Sequence, residues 1–137
     1  MISFESTIGF ELENQKNISD WIEKTIIEEG FKVGELSYLF VSDEELLETN
    51  KTFLQHDYYT DIISFDYTLG KLISGEMHLS IDRIKDNAKQ FSNSFKDELH
   101  RVIIHGILHY CGYKDKTESE QKTMRAKEDY YLSLRPE

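Results

Sequence analysis

His105 and His109 stand four residues apart in a stretch, Leu99 to Cys111, that is otherwise mostly apolar. On a helix that spacing is about one turn, so both imidazoles leave the same side and can offer two nitrogens to one ion, as in helical zinc sites. Gly112 comes three residues after His109, and Asp115 three residues after that. Glycine accepts the positive φ that ends a helix and turns the chain back, which would return the Asp115 carboxylate to the same point as a third donor. Three protein donors leave a coordination position open, the arrangement of a catalytic rather than a structural site. The expectation is one divalent ion per chain on His105, His109 and Asp115. The histidine pair alone would suit two hydrogen-bonded core imidazoles equally well; the glycine and the aspartate are what favour a metal. Metalloproteases with this histidine spacing place a glutamate base directly after the first histidine. Here that position is Gly106, which argues against a peptidase of that mechanism.

The element carrying the pair must be a buried helix. Leu99, Val102, Ile103, Ile107 and Tyr110 make one broad apolar face, while Ile104, Leu108 and Cys111 cover another, leaving a narrow polar stripe for the histidines. Ser94, with Asp97 three residues on, caps its start. Cys111 lies off the stripe and reads as core packing. His56, His78 and His100 have no partner at ligand spacing, so structural or surface roles are expected for each.

The remaining elements alternate between short strands and capped helices. Strands are expected at Ile2–Glu5, Leu36–Val41, Ile62–Tyr67 and Leu72–Leu79, the last two joined by a turn at Leu69-Gly70. Ile18, Trp21, Ile22 and Ile26 recur at helical spacing, with Asn17 as N-cap and Gly30 as stop. Ser42 and Glu45 form a capping box, with Val41 and Leu46 placed for a hydrophobic staple. A helix is expected next from about Ile81 to Phe91, and Thr117 with Glu120 caps a last one that Pro136 cannot continue. The fold class is therefore α+β: one domain over residues 1–137, a mixed sheet covered by helices, and a zincin-like metal-binding helix at its centre. Strand order is not readable from the pattern.

Bulk composition narrows the setting. The 137 residues include a single cysteine, so no intrachain disulfide forms and no disulfide-linked partner is expected; a reducing cytoplasm fits. No apolar run approaches the ~18–20 residues of a membrane span, and the first ten residues do not read as a signal peptide. The formal net charge of −10 argues at first against nucleic acid. It is unevenly placed: residues 1–50 hold twelve acids and three bases, a net of −9, whereas residues 51–137 hold fourteen and thirteen, a net of −1. An acidic flank is compatible with a local basic groove elsewhere.

The run His105-Gly106-Ile107-Leu108-His109-Tyr110-Cys111-Gly112-Tyr113 resembles the signature of the YbeY endoribonucleases, bacterial ribosomal-RNA maturation factors. Thr60-Asp61-Ile62-Ile63-Ser64-Phe65 is similar to that family's second motif, Gly75-Glu76-Met77 to its third, and Asn50 to the asparagine of the preceding helix. The resemblance implies a zinc-dependent hydrolase that cleaves single-stranded RNA, matures the 16S rRNA 3′ end, takes part in ribosome quality control and has rRNA and ribosomal subunits as partners. It also implies zinc at His105, His109 and Asp115. Thr60, Asp61 and Ser64 are candidate substrate contacts, with turn and capping roles equally open to them. Two departures stand out. Asp115 occupies a position where the family usually has histidine, and Leu54 one where it usually has an arginine thought to assist catalysis. Lys114 and Lys116 beside the metal loop are candidate substitutes for that cation. No general base is identifiable. The competing readings are a metal hydrolase of another substrate and a noncatalytic ribosome-assembly protein with a structural metal.

Overall fold

The computed structural model describes residues 1–136. Its elements in chain order are β1 (Ile2–Ser6), α1 (Gln15–Glu28), β2 (Lys32–Val41), α2 (Asp43–Leu54), β3 (Ile62–Asp66), β4 (Leu72–Ser80), α3 (Ile81–Gln90), α4 (Phe95–Tyr110) and α5 (Glu118–Ser133). The strands form one sheet in the order β1-β2-β4-β3. β1 and β4 run parallel to β2, and β3 is antiparallel to β4 on the edge, so the sheet is mixed as expected.

Alternation along the strands explains how the helices divide between the two faces. Leu36, Tyr38 and Phe40 of β2 and Ile73, Met77 and Leu79 of β4 join the main core, together with Ile22 and Ile26 of α1 and Ile103, Ile104, Ile107 and Leu108 of α4. Leu39 and Val41 belong to a separate small cluster with Leu46 of α2 and Ile63 of β3. β2 is thus apolar on both sides because both sides are covered. α4 is buried over nearly its whole length, which is why its sequence is apolar almost all round.

Close approach at Gly75 seats α4 on the sheet. A Cβ there would come within 2.5 Å of the Tyr110 ring and 2.6 Å of the Phe65 carbonyl oxygen. The space lets the Tyr110 hydroxyl donate to that carbonyl at 3.0 Å and reach the Glu76 carbonyl at 3.3 Å. The helix end that carries His109 is therefore pinned to the β3–β4 ladder. Asn50, 2 % exposed, does similar work on the other side, its amide donating to the Tyr58 carbonyl and holding the loop that leads to β3.

Several boundaries differ from the expected ones. α1 starts earlier than the periodicity implies: Asn14, not Asn17, occupies the cap position, in the left-handed region at φ 57° and without a side-chain cap bond. Asparagine tolerates that conformation, and the added turn lets the Ile18 amide bond to the Asn14 carbonyl as Ile18 enters the core. β2 runs back to Lys32 through an irregularity between Val33 and Leu36, which conceals its alternation in the sequence. β3 stops at Asp66 and leaves Tyr67 outside. The capping box at Ser42 and Glu45, the cap at Ser94 and the box at Thr117 and Glu120 are all present. No helix among the described residues is long and apolar enough to cross a membrane.

Candidate metal centre

The narrow polar stripe of α4 places the His105 and His109 rings 4.5 Å apart, centroid to centroid, with their Nε2 atoms 2.9 Å from each other. The turn after α4 brings in the third group. Gly112, at φ 102°, donates its amide to the His109 carbonyl, and Tyr113 donates to the Leu108 carbonyl, the two bonds of a Schellman ending. The reversal sets the Tyr113 carbonyl 2.9 Å from His109 Nδ1. It also sets Asp115 Oδ2 3.2 Å from His105 Nε2 and 3.3 Å from His109 Nε2. The sequence expectation that these three residues converge is met, and together they could hold a metal ion.

Donor chemistry supports a cation at their meeting point. Glu128 Oε2 lies 2.6 Å from His105 Nδ1, so both Nδ1 atoms face acceptors and carry the hydrogens. Each Nε2 then presents a lone pair to the other and to the Asp115 carboxylate. Three acceptors facing one point attract a positive charge and otherwise repel one another. A tetrahedral ion with bonds of about 2.0–2.1 Å has donor–donor edges of about 3.3 Å, close to the two aspartate–histidine separations. Glu128 and the Tyr113 carbonyl fix the imidazole tautomers, the usual task of groups behind a metal ligand.

Glu128 is a residue of this site that sequence reasoning misses. It is 4 % exposed and sits between Met124 and Tyr131 on the buried stripe of α5; a glutamate at that spacing among apolar residues is the available signal. Burial opposes its charge, yet hydrogen bonds to His105 and Arg101 outweigh burial and hold its carboxyl below the usual range. His105 is the reciprocal case: burial favours the neutral ring, but Glu128 and Asp115 together raise its pKa. Arg101 closes the network, with Nη1 2.8 Å from Glu128 Oε1 and Nη2 2.8 Å from Asp129 Oδ1.

His105 lines two openings. A groove of about 710 Å³ is lined by His105, Asp115, Gln121, Lys122, Arg125 and Glu128, among others. A smaller cleft of about 260 Å³ is lined by Asp61, Asn87, Phe91, Arg101, His105 and Arg125, among others. Of the candidate substrate contacts, Asp61 lies in this cleft, its carboxylate 3.4 Å from the Asn87 amide. Burial raises its pKa, with the nearby His105 pulling the other way. The Thr60 hydroxyl lies 3.5 Å from the Ile62 carbonyl, and Ser64 is exposed on β3 opposite Met77; neither lines an opening beside His105. Leu54 ends α2, 43 % exposed, and also lines neither. Lys114 and Lys116, on the metal loop, line neither opening, whereas Arg101 and Arg125, which sequence reasoning passes over, are present there. Gly106 faces the sheet: a Cβ there would fall 2.4 Å from Met77 Sδ. A larger side chain at that position would drive into the core, so this packing has no room for the peptidase base.

The other histidines have structural surroundings. His78 Nε2 lies 2.9 Å from Glu76, and His56 pairs with the Tyr58 hydroxyl at 3.0 Å. Cys111 packs against the core as expected, and burial pushes its thiol up to about 12. His100 is buried against Trp21, with Arg135 donating to its Nδ1. Burial, Arg135 and Lys96 push its pKa down to about 4, against a smaller opposite pull from Asp97. Between about pH 6.5 and 4 the unfolded chain therefore takes up a proton that the folded one refuses, so stability rises with pH across that window. The contribution is at most about 3 kcal/mol. Denaturant melts from pH 4 to 7 should show a flatter profile for His100→Gln than for the parent; parallel profiles would contradict a neutral His100.

Comparison with known proteins accords with this geometry. Residues 2–134 match the family described as endoribonuclease YbeY. A protein of that name from Flavobacterium johnsoniae is 48 % identical over 134 residues, covering 98 % of this chain and 96 % of the relative. Its namesake from Cytophaga hutchinsonii is 50 % identical over 133 residues, covering 96 % and 93 %. A solution structure of a Thermotoga maritima protein superimposes with a TM-score of 0.69 at 29 % identity, covering 97 % of this chain and 87 % of that one. Matched over nearly its whole length by that family and about half identical to its named members, the chain belongs to the YbeY family, whose members are named endoribonucleases.

Proposed function

We propose that this protein is a metal-dependent endoribonuclease that cleaves single-stranded RNA during ribosomal RNA maturation, the 16S 3′ end included, with ribosomal subunits as its partners in the cytoplasm. The observation carrying the reading is the convergence of His105 Nε2, His109 Nε2 and Asp115 Oδ2 beside openings that also hold arginine. The ion is zinc in this proposal, since two imidazoles and one carboxylate are a known catalytic zinc set; the oxygen donor widens the range of metals accepted.

When bound, a divalent ion supplies Lewis acidity that makes water a nucleophile near neutral pH and offsets charge developing on the phosphate. The rest falls to the chain. Glu128 and the Tyr113 carbonyl hold the imidazoles with Nε2 facing the site. Asp61, raised in pKa by burial, is the group we assign to accept the proton of the attacking water. Residues 1–50, with a net charge of −9, turn RNA away from that part of the chain and leave the half carrying the metal residues to receive it.

The test is incubation of purified protein with an rRNA precursor carrying an unprocessed end, with elemental analysis alongside. About one divalent ion per chain and cleavage that stops with chelator are expected. Metal bound without cleavage, and with precursor binding intact, would replace this reading by that of an assembly factor.

A further inference from the structure

The cleft of about 260 Å³ beside His105 contains two side chains that the fold itself does not need there. Phe91, at the C-cap of α3, is 59 % exposed although it is a large apolar ring. Arg125, on α5, is also 59 % exposed in its side chain. Among the described residues its one ion pair is to Glu128 Oε1, at 3.5 Å. That oxygen already receives Arg101 at 2.8 Å, and the other carboxylate oxygen receives His105 at 2.6 Å. Glu128 is already engaged by closer partners at each oxygen, and Arg101 is committed at both ends to Glu128 and Asp129. Arg125 is therefore the loosely held guanidinium of the cleft, and it borders the larger groove as well.

The other charges of the cleft sharpen the point. Asp61, Glu98 and Glu128 are acidic; Glu98 and Glu128 are buried, and Glu98 takes a hydrogen bond from Asn93. An anion entering such a lining needs a mobile cation to meet it, and an exposed aromatic ring nearby offers a stacking surface for a base. Phosphate with a flat aromatic heterocycle is the chemistry of a nucleotide, and an exposed ring suits an unpaired one.

Resting on the nuclease reading above, we propose that this cleft is a nucleotide subsite for single-stranded RNA, in which Arg125 binds a phosphate next to the metal centre and Phe91 stacks on the adjoining base. Both are positioning residues: they hold the strand in register with His105.

The experiment is fluorescence anisotropy with a labelled single-stranded RNA decamer across several salt concentrations, in chelator so that the strand stays whole, then steady-state cleavage with the ion restored. Arg125→Gln should raise Kd on the order of tenfold and reduce the slope of log Kd against log salt by about 0.7. Arg125→Lys should keep the slope. Phe91→Ala should raise Kd on the order of tenfold with the slope unchanged, and Phe91→Tyr should restore affinity. In cleavage both losses should fall on KM more than on kcat. Lys24→Gln removes a charge from α1, which lines neither opening, and should behave as the parent. Arg125-dependent binding by a parent that does not cleave would uphold the subsite and sink the nuclease reading. A parent that cleaves, with Arg125→Gln and Phe91→Ala matching it in Kd, slope and KM, would overturn the subsite alone. A parent that binds no RNA at low salt, and cleaves none once the ion is restored, would overturn both.

Discussion

Asp115→Asn should cost cleavage on the order of 10³-fold or more while leaving the protein folded, because several kcal/mol of electrostatic stabilisation leave with the ion. The asparagine keeps the shape of the side chain and its place two residues before the Thr117 cap, so the loop and the α5 start remain. It loses the formal charge and the better oxygen donor facing two imidazole nitrogens at 3.2 and 3.3 Å. Substituting His105 would be less informative. That ring is bonded to Glu128, a buried carboxylate also tied to Arg101, so its loss strands a charge inside the protein and confuses folding with catalysis. For Asp115→Asn, circular dichroism and Tm should match the parent, elemental analysis should show metal well below one ion per chain, and cleavage of the rRNA precursor should be nearly absent. A folded variant that retains cleavage at the parent's rate would remove the metal from the mechanism.

The candidate ligand set is legible in the sequence because its three members lie within eleven residues and are placed by local rules: helical periodicity, a glycine stop and a short reversal. The same holds for the caps at Ser42, Ser94 and Thr117, where the bonding partner is three residues away. The strands are legible as apolar runs, but their order β1-β2-β4-β3 is not, since pairing depends on the crossovers and on the burial of both faces of β2. Glu128 escapes because its meaning depends on His105, twenty-three residues away on another helix. Phe91, Arg101 and Arg125 escape for the same reason: three elements bring them together only in the folded chain. Proximity along the chain points instead to Lys114 and Lys116 as replacement cations, neighbours of the metal loop that line neither opening. Asn17 fails as a cap because capping composition says nothing about a turn added so that Ile18 can reach the core.

Asp61→Asn should lower kcat by about 10²–10⁴-fold, the range typical for losing a positioned general base, with metal content and RNA affinity near the parent's. Asp61 stands just before β3, where its backbone carbonyl accepts the Ser80 amide at 2.9 Å, so the sheet itself holds the chain there. The carboxylate itself faces the cleft that contains His105, Arg101 and Arg125, with Asn87 its side-chain partner at 3.4 Å. Burial makes the charged form costly and raises the pKa, which gives the group more basicity than an exposed aspartate has. Asparagine keeps the volume and the hydrogen bond to Asn87 within reach but cannot accept a proton. A purely structural Asp61 predicts the opposite split, a lowered Tm with kcat intact, so single-turnover cleavage and thermal melts on one preparation separate the two roles. Parent-like single-turnover rates in a metal-loaded, fully folded Asp61→Asn protein would leave proton acceptance to another group and return Asp61 to a turn-forming role.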